Sequence, residues 1–238
     1  MHEATGLEQK YHDLAKAQEY AHMSWPQFDE NDVSEPFYRR VADMLRTASG
    51  LVETADPLVV SIGFGAGREL YELRSALPEA TILGIEDSRE MIEVARTLLG
   101  EVKIGTEFGT DKEYTPTPGG LYLSQGSADK LPVADSCANF ISMVNVIDRV
   151  ISPRDVIAEF IRIAAPGCIV VLVSADDYGE SPTSYGDLTK DEVLSTFLYN
   201  GFSIIDREEF ELNKLLADTG DTVLFDEWGV TLRKDSPE

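Results

Sequence analysis

The residues best placed to do chemistry fall in two short runs, Val59-Val60-Ser61-Ile62-Gly63-Phe64-Gly65-Ala66-Gly67-Arg68 and Ile82-Leu83-Gly84-Ile85-Glu86-Asp87. Glycines at alternate positions after an apolar stretch let the backbone turn tightly and approach a ligand closely. The free N–H groups of a helix opening at Gly67 favour a negative group there. Glu86 closes the second apolar run 23 residues after Gly63. An ionised carboxylate is acceptor-only with two oxygens, so it can take both hydroxyls of a ribose. Together the runs describe half of a nucleoside site. Spacing separates the cofactor classes: a dinucleotide fingerprint needs G-x-G-x-x-G, whereas Arg68 stands where its third glycine belongs and the pattern here is G-x-G-x-G.

These residues need strands and helices to hold them, and the chain alternates the two. An amphipathic helix is expected over residues 7–23. A polar break containing Pro26 leads to a second helix over about 36–49, with Ser34 as its cap. Strands are expected at 58–62, 81–86, 121–124, 139–145, 168–174, 202–206 and 228–233. Helices are expected at 67–77, 88–99 and 153–164, and from Thr189, where Thr189 and Glu192 fit a capping box. Residues 101–120, rich in Gly and Pro, form either an inserted hairpin around the β-like pieces 102–104 and 113–115 or a plain surface excursion. Repeated strand–helix units imply an α/β fold, a doubly wound and mostly parallel sheet with right-handed crossovers.

Composition allows one sizeable domain: 238 residues, 43% hydrophobic. The formal charge of −23 argues against nucleic acid or an anionic membrane surface as partner, since both are polyanions. A solubility-driven or salt-adapted surface explains that charge before any functional acidic field does. No run is apolar and long enough to span a bilayer, and Met1-His2-Glu3-Ala4 lacks a basic stretch leading into an apolar one, so a cytoplasmic protein is expected. Cys137 and Cys168 lack metal-ligand spacing, and no metal is expected.

With these motifs stands Gly126-Ser127-Ala128-Asp129-Lys130-Leu131-Pro132-Val133-Ala134-Asp135, then Val144-Asn145-Val146-Ile147-Asp148-Arg149-Val150 and Ala165-Pro166-Gly167-Cys168. From about residue 58 to 205 the chain resembles a class I S-adenosylmethionine-dependent methyltransferase. The resemblance implies a seven-stranded sheet with one antiparallel strand, residues 51–238 as the S-adenosylmethionine-binding domain, and residues 1–50 as an N-terminal helical lid. By matching positions it implies that the Gly63-Gly65-Gly67 turn holds the methionine part, Glu86 the ribose hydroxyls, and Ser127 and Ala128 lie beside the adenine, with Ser61, Phe64, Asp87 and Asn145 also expected to bind the cofactor. It also implies a small-molecule or peptide acceptor. Three positions depart from the family pattern: Ser61, Ser127 and Asn139 stand where acids are usual. A non-catalytic cofactor-binding relative is therefore one alternative. A nicotinamide-dependent oxidoreductase is another, opposed by Arg68 and by the absence of a Tyr-x-x-x-Lys pair, Tyr185 being followed four residues on by Thr189.

An amine or hydroxyl acceptor needs a base within hydrogen-bond reach. Asp148, in the loop after the fourth main strand, is one candidate; the other reading pairs it with Arg149 on the surface. His22 and Tyr20 on the first helix are further candidates, near His12 and Trp25, and packing is the other reading of the aromatics. Residues 176–185, rich in acids and tyrosines, would meet a cationic or amine-bearing acceptor.

Overall fold

The computed structural model describes residues 13–25, 35–100, 103–104, 119–175, 189–215 and 222–236. Its elements in chain order are α1 (Leu14–Ser24), α2 (Glu35–Ser49), β1 (Leu58–Ile62), α3 (Arg68–Ala76), β2 (Thr81–Glu86), α4 (Arg89–Leu99) and β3 (Lys103–Ile104). There follow β4 (Leu121–Gln125), β5 (Ala138–Val144), α5 (Pro153–Ile163), β6 (Ala164–Ala175), α6 (Lys190–Tyr199), β7 (Phe202–Leu215) and β8 (Thr222–Lys234). One sheet joins all strands in the order β3-β4-β2-β1-β5-β6-β8-β7. Every described pairing is parallel except those of β8, which runs against β6 and β7.

The central strands are near-continuous Val, Ile and Leu because both their faces are covered. Alternate residues feed two cores. Val60, Ile62, Ile141, Met143, Val170 and Leu172 meet Val156, Phe160 and Phe197 of α5 and α6. Val59, Phe140, Val171 and Val173 meet Val41 and Leu45 of α2 together with Leu70 and Leu73 of α3. Helix starts follow local chemistry. Ser88 accepts from the Met91 N–H, Pro153 opens α5, and Thr189 with Glu192 forms the expected capping box.

All seven expected strands are present, and the two-residue β3 adds an eighth at the edge, parallel to β4. The other expected hairpin arm, 113–115, lies outside the described residues, as does the Ser34 cap. Several boundaries differ, and β6 begins at Ala164 rather than residue 168. Helix α1 begins at Leu14, where Asp13 is extended and its Oδ1 caps the Ala15 and Lys16 N–H groups at 2.8 and 3.2 Å, and the expected stretch 7–12 lies outside the described residues. The β7–β8 ribbon runs 14 and 13 residues, well beyond 202–206 and 228–233. The charges of Arg207, Glu208, Glu209 and Glu211 interrupt the apolar signal, but Phe210 alternates with Arg207, Glu209 and Glu211 and lies 5.6 Å from the Phe37 ring of α2, on the side where Glu208 pairs with Arg40. That is period-two patterning on a ribbon with one covered face.

The Asn139 departure has a local explanation. Its Oδ1 accepts the Leu58 N–H at 2.9 Å, so the first donor of β1 is satisfied by a neutral amide. Asn139→Ala should lower stability by about 1–2 kcal/mol in urea unfolding, while Asn139→Asp, which keeps the acceptor, should cost less than half of that.

Candidate active site

The site is built at the carboxyl ends of β1, β2, β4 and β5. After β1 the chain enters the glycine turn, with Gly63, Gly65 and Gly67 at φ +71°, +53° and +88°. At Gly63 an added Cβ would lie 2.3 Å from Val146 Cγ2, and at Gly65 it would lie 3.1 Å from the Tyr20 ring. Neither left-handed backbone nor close neighbours leave room for a side chain. Phe64 is buried, its ring packed over Gly84, where a Cβ would come within 2.7 Å of it.

Glu86 reaches back from β2 to this turn. Its Oε2 accepts the Gly65 N–H at 2.9 Å and its Oε1 accepts the Ser88 N–H at 3.0 Å. Burial pushes its pKa up, against these two backbone bonds, which lower it. Each oxygen keeps a second lone pair, which is what two ribose hydroxyls require. The next strand end is tied in as well: Gly126 N–H donates to the Glu86 carbonyl at 3.0 Å and Gln125 Nε2 donates to the Asp87 carbonyl at 2.9 Å. Asp87 and Ser127 are exposed beside it and Ala128 is half-buried. The 126–135 segment is held from below, where Glu159 accepts the Leu131 N–H at 2.6 Å and Arg162 donates to the Val133 and Leu131 carbonyls. Hydrogen bonding from Arg162 draws the Glu159 pKa down.

Ser61 has a different place from the one expected. It is fully buried and its hydroxyl donates to Glu69 Oε1 at 2.9 Å, and the Ser142 hydroxyl donates to the same oxygen. Serine at 61 therefore supports an acid from α3 rather than facing the cleft itself. Burial lifts the Glu69 carboxyl to about 7, the two hydroxyls opposing it. Glu69 was not legible as a site residue, since an acid in a first helical turn is ordinary dipole chemistry.

Helix α1 is fastened to the glycine turn. Trp25 Nε1 donates to the Ala66 carbonyl at 3.0 Å, and Arg68 donates to the Ser24 carbonyl at 3.3 Å. Ala17, Ala21 and Trp25 pack with Ala66, Met91 and Val94. Of the expected bases on this helix, Tyr20 is brought onto the turn, while His22 is exposed. Tyr20, Phe64, Val144, Gly63 and Glu69 all line a cavity that runs between α2 and α3. Asp148 pairs with Arg149 at 3.5 Å. Asn145, at the end of β5, is left-handed with φ +54°. Its Nδ2 donates to Glu227 Oε1 at 3.3 Å, and its Oδ1 is buried with no partner among the described residues. Glu227, buried where β8 begins to pair with β6, is a second acid that sequence reasoning missed, because it is 82 residues from Asn145. His12 and residues 176–185 lie outside the described residues. Among the described residues no helix is long and apolar enough to cross a membrane, and no cluster of three or more His, Cys, Asp or Glu residues could hold a metal.

A parallel sheet whose glycine turn and neighbouring acid meet across a hydrogen bond, with β8 antiparallel near one edge, defines the class I S-adenosylmethionine-dependent methyltransferase architecture. Residues 60–172, a little under half of the chain, match the family model described as a methyltransferase domain. Solved structures agree in fold. YcgJ from Bacillus subtilis is 16% identical at TM-score 0.58, over 82% of this chain and 99% of that one. An S-adenosylmethionine-dependent methyltransferase from Methanosarcina mazei is 20% identical at TM-score 0.56, over 78% and 96%. The [4+2]-cyclase SpnF is 16% identical at TM-score 0.58, over 83% and 81%. Comparison with curated protein sequences gives no match.

The buried acid beneath the turn sets a pH dependence. Between the ordinary carboxyl value of 4.5 and about 7 the folded chain holds a proton on Glu69 that the unfolded chain has released. Its contribution to stability therefore falls as pH rises through that window. Chemical denaturation at pH 5 and pH 8 should show that loss, and in Glu69→Gln it should be smaller by about 1–3 kcal/mol, because the amide oxygen keeps both hydroxyl bonds without a charge while the raised Glu86 carboxyl is unaltered.

Proposed function

We infer that the chain transfers the methyl group of S-adenosylmethionine to a nitrogen or oxygen nucleophile of a small molecule or peptide. The observation that carries the cofactor half is the meeting of the Gly65 N–H and the Glu86 carboxylate at 2.9 Å, which puts turn and acid within reach of one adenosine. Gly63, Phe64, Gly65 and Gly67 would frame the methionine arm, with Ser61 acting from beneath through Glu69. Glu86 and Asp87 would hold the ribose, and Ser127 and Ala128 would flank the adenine. Bound there, the cofactor supplies a methyl group on a sulfonium whose positive charge is lost on transfer. The protein's task is then mainly alignment, which can supply much of the rate gain.

The acceptor half rests on Asn145. A buried amide oxygen without a donor is costly, and an N–H or O–H of a bound ligand would satisfy it. Beside it Glu227 offers a carboxylate to receive the proton such a nucleophile sheds. Tyr20 on the cavity wall is the second choice of base. Asp148, engaged with Arg149, and the exposed His22 rank behind both. A fold shared with a cyclase does not by itself fix a reaction. Two of the three replaced acids nevertheless have substitutes here: Glu69 at Ser61, and the Asn139 amide at the start of β1. This weighs against a non-catalytic relative.

S-adenosylhomocysteine should raise the melting temperature in thermal-shift titration and NAD should not, since only a ligand of the folded state stabilises it. Glu86→Ala should weaken S-adenosylhomocysteine binding by about 1–3 kcal/mol, and unchanged affinity would remove Glu86 from the site. Methyl-labelled cofactor incubated with amines, imidazoles, hydroxyl compounds and peptides should label one of these classes. On that acceptor Glu227→Gln should lower turnover about 100-fold while leaving S-adenosylhomocysteine affinity unchanged.

A further inference from the structure

Glu69 sits where a cavity, a glycine turn and two strands converge. Only 8% of its surface is exposed, and that small exposure belongs with its place in the lining of the cavity shared by Gly63, Phe64 and Val144. Two hydroxyls, from Ser61 of β1 and Ser142 of β5, converge on one carboxylate oxygen, Oε1. Among the described residues no hydrogen bond reaches Oε2, and no cation pairs with the group. The cations nearest the cavity are turned elsewhere: Arg68 Nε bonds Glu72 at 3.0 Å and Arg46 approaches the same Glu72 at 3.5 Å. An ionised carboxylate buried in this way is expensive unless something positive faces it. Two serines that aim it, with no cation supplied by the protein, describe a half-finished ion pair.

We propose that Glu69 is the anchor for the α-ammonium of the cofactor's methionine arm, its carboxylate aimed by Ser61 and Ser142 and its Oε2 left to the ligand. This rests on the cofactor reading above. An ammonium carries three donors and a full charge, whereas the sulfonium has no N–H or O–H to give, so the amine end of the cofactor is the part that matches a carboxylate oxygen. Without ligand the group answers its burial by holding a proton, in keeping with its raised pKa of about 7. Ligand binding then exchanges that proton for the ammonium, and the proton leaves to solvent. The charged and titratable groups around the cavity are Arg68 and Glu72 of α3, Arg46 and Tyr38 of α2, and Tyr20 of α1. Glu86 titrates nearby, on the adenosine side.

Two ligands separate these groups. S-adenosylhomocysteine carries the ammonium, and methylthioadenosine has the same adenosine and thioether but no amino-acid arm. By isothermal titration calorimetry at pH 8, Glu69→Gln should bind S-adenosylhomocysteine about tenfold or more weakly and methylthioadenosine within about twofold of the unaltered chain. In the unaltered chain the ratio of the two affinities should fall about tenfold from pH 8 to pH 6, as Glu69 takes up its proton. The ratio cancels the titration of Glu86, which both ligands meet. In Glu69→Gln the ratio should be flat. A variant that loses both ligands equally or neither, or an unaltered chain whose ratio does not change with pH, overturns the proposal. The second measurement needs no variant to fold. An unaltered chain that binds neither ligand contradicts the cofactor reading itself, and this proposal with it.

Discussion

A backbone N–H of the glycine turn reaches the carboxylate that ends the neighbouring strand, and the geometry of the site descends from that bond. It closes β1, the turn, α3 and β2 into one unit, because Gly63 also donates to the Ile85 carbonyl at 2.7 Å. Glycine is required there by left-handed backbone and by neighbours that leave no space for a Cβ. The acid is required because the turn presents donors that only an acceptor can match. The third strand end is drawn in through Gly126 and Gln125, so the glycine turn, Glu86 and the start of the 126–135 segment are joined in one hydrogen-bonded unit.

Much of this was written locally. Strands β1, β2, β5 and β6 are apolar enough to be read as buried on both faces, and Ser88, Pro153 and Thr189 mark helix starts by their own chemistry. Glu86 could be placed because its distance from the glycines fits one strand–helix–strand crossover. Other features depend on contacts between residues far apart in sequence. Glu69 looks like a helix-start acid until Ser142, 73 residues away, is found donating to it. The pairing of Asn145 with Glu227 needs β8 inserted between β6 and β7, and no spacing announces that. The long β7–β8 ribbon was hidden by its charges: Arg207, Glu209 and Glu211 alternate with Phe210, and Glu208, on the Phe210 side, pairs with Arg40 of α2.

The replaced acids illustrate how a site can keep its physics with different residues. At the start of β5 an amide oxygen does what a carboxylate would do for the first N–H of β1, without adding charge to a chain already at −23. Beneath the turn the carboxylate has moved from the strand to the helix, and serines at 61 and 142 give it direction. Few basic residues are available, and several are committed to internal ties: Arg162 braces the 126–135 segment, and Arg68 joins α3 to the end of α1. The acid left facing the cavity without a protein cation is Glu69, a group that can ionise against the ammonium of the cofactor.

The central claim is that the β1–α3–β2 unit grips adenosine between the glycine turn and Glu86. A crystal structure of the chain with S-adenosylhomocysteine tests it most directly. The account predicts both ribose hydroxyls within about 2.5–3.2 Å of the Glu86 carboxylate oxygens, with the thioether lying over the turn. A nucleoside bound elsewhere, or a Glu86 that touches no ribose oxygen in the complex, would contradict it.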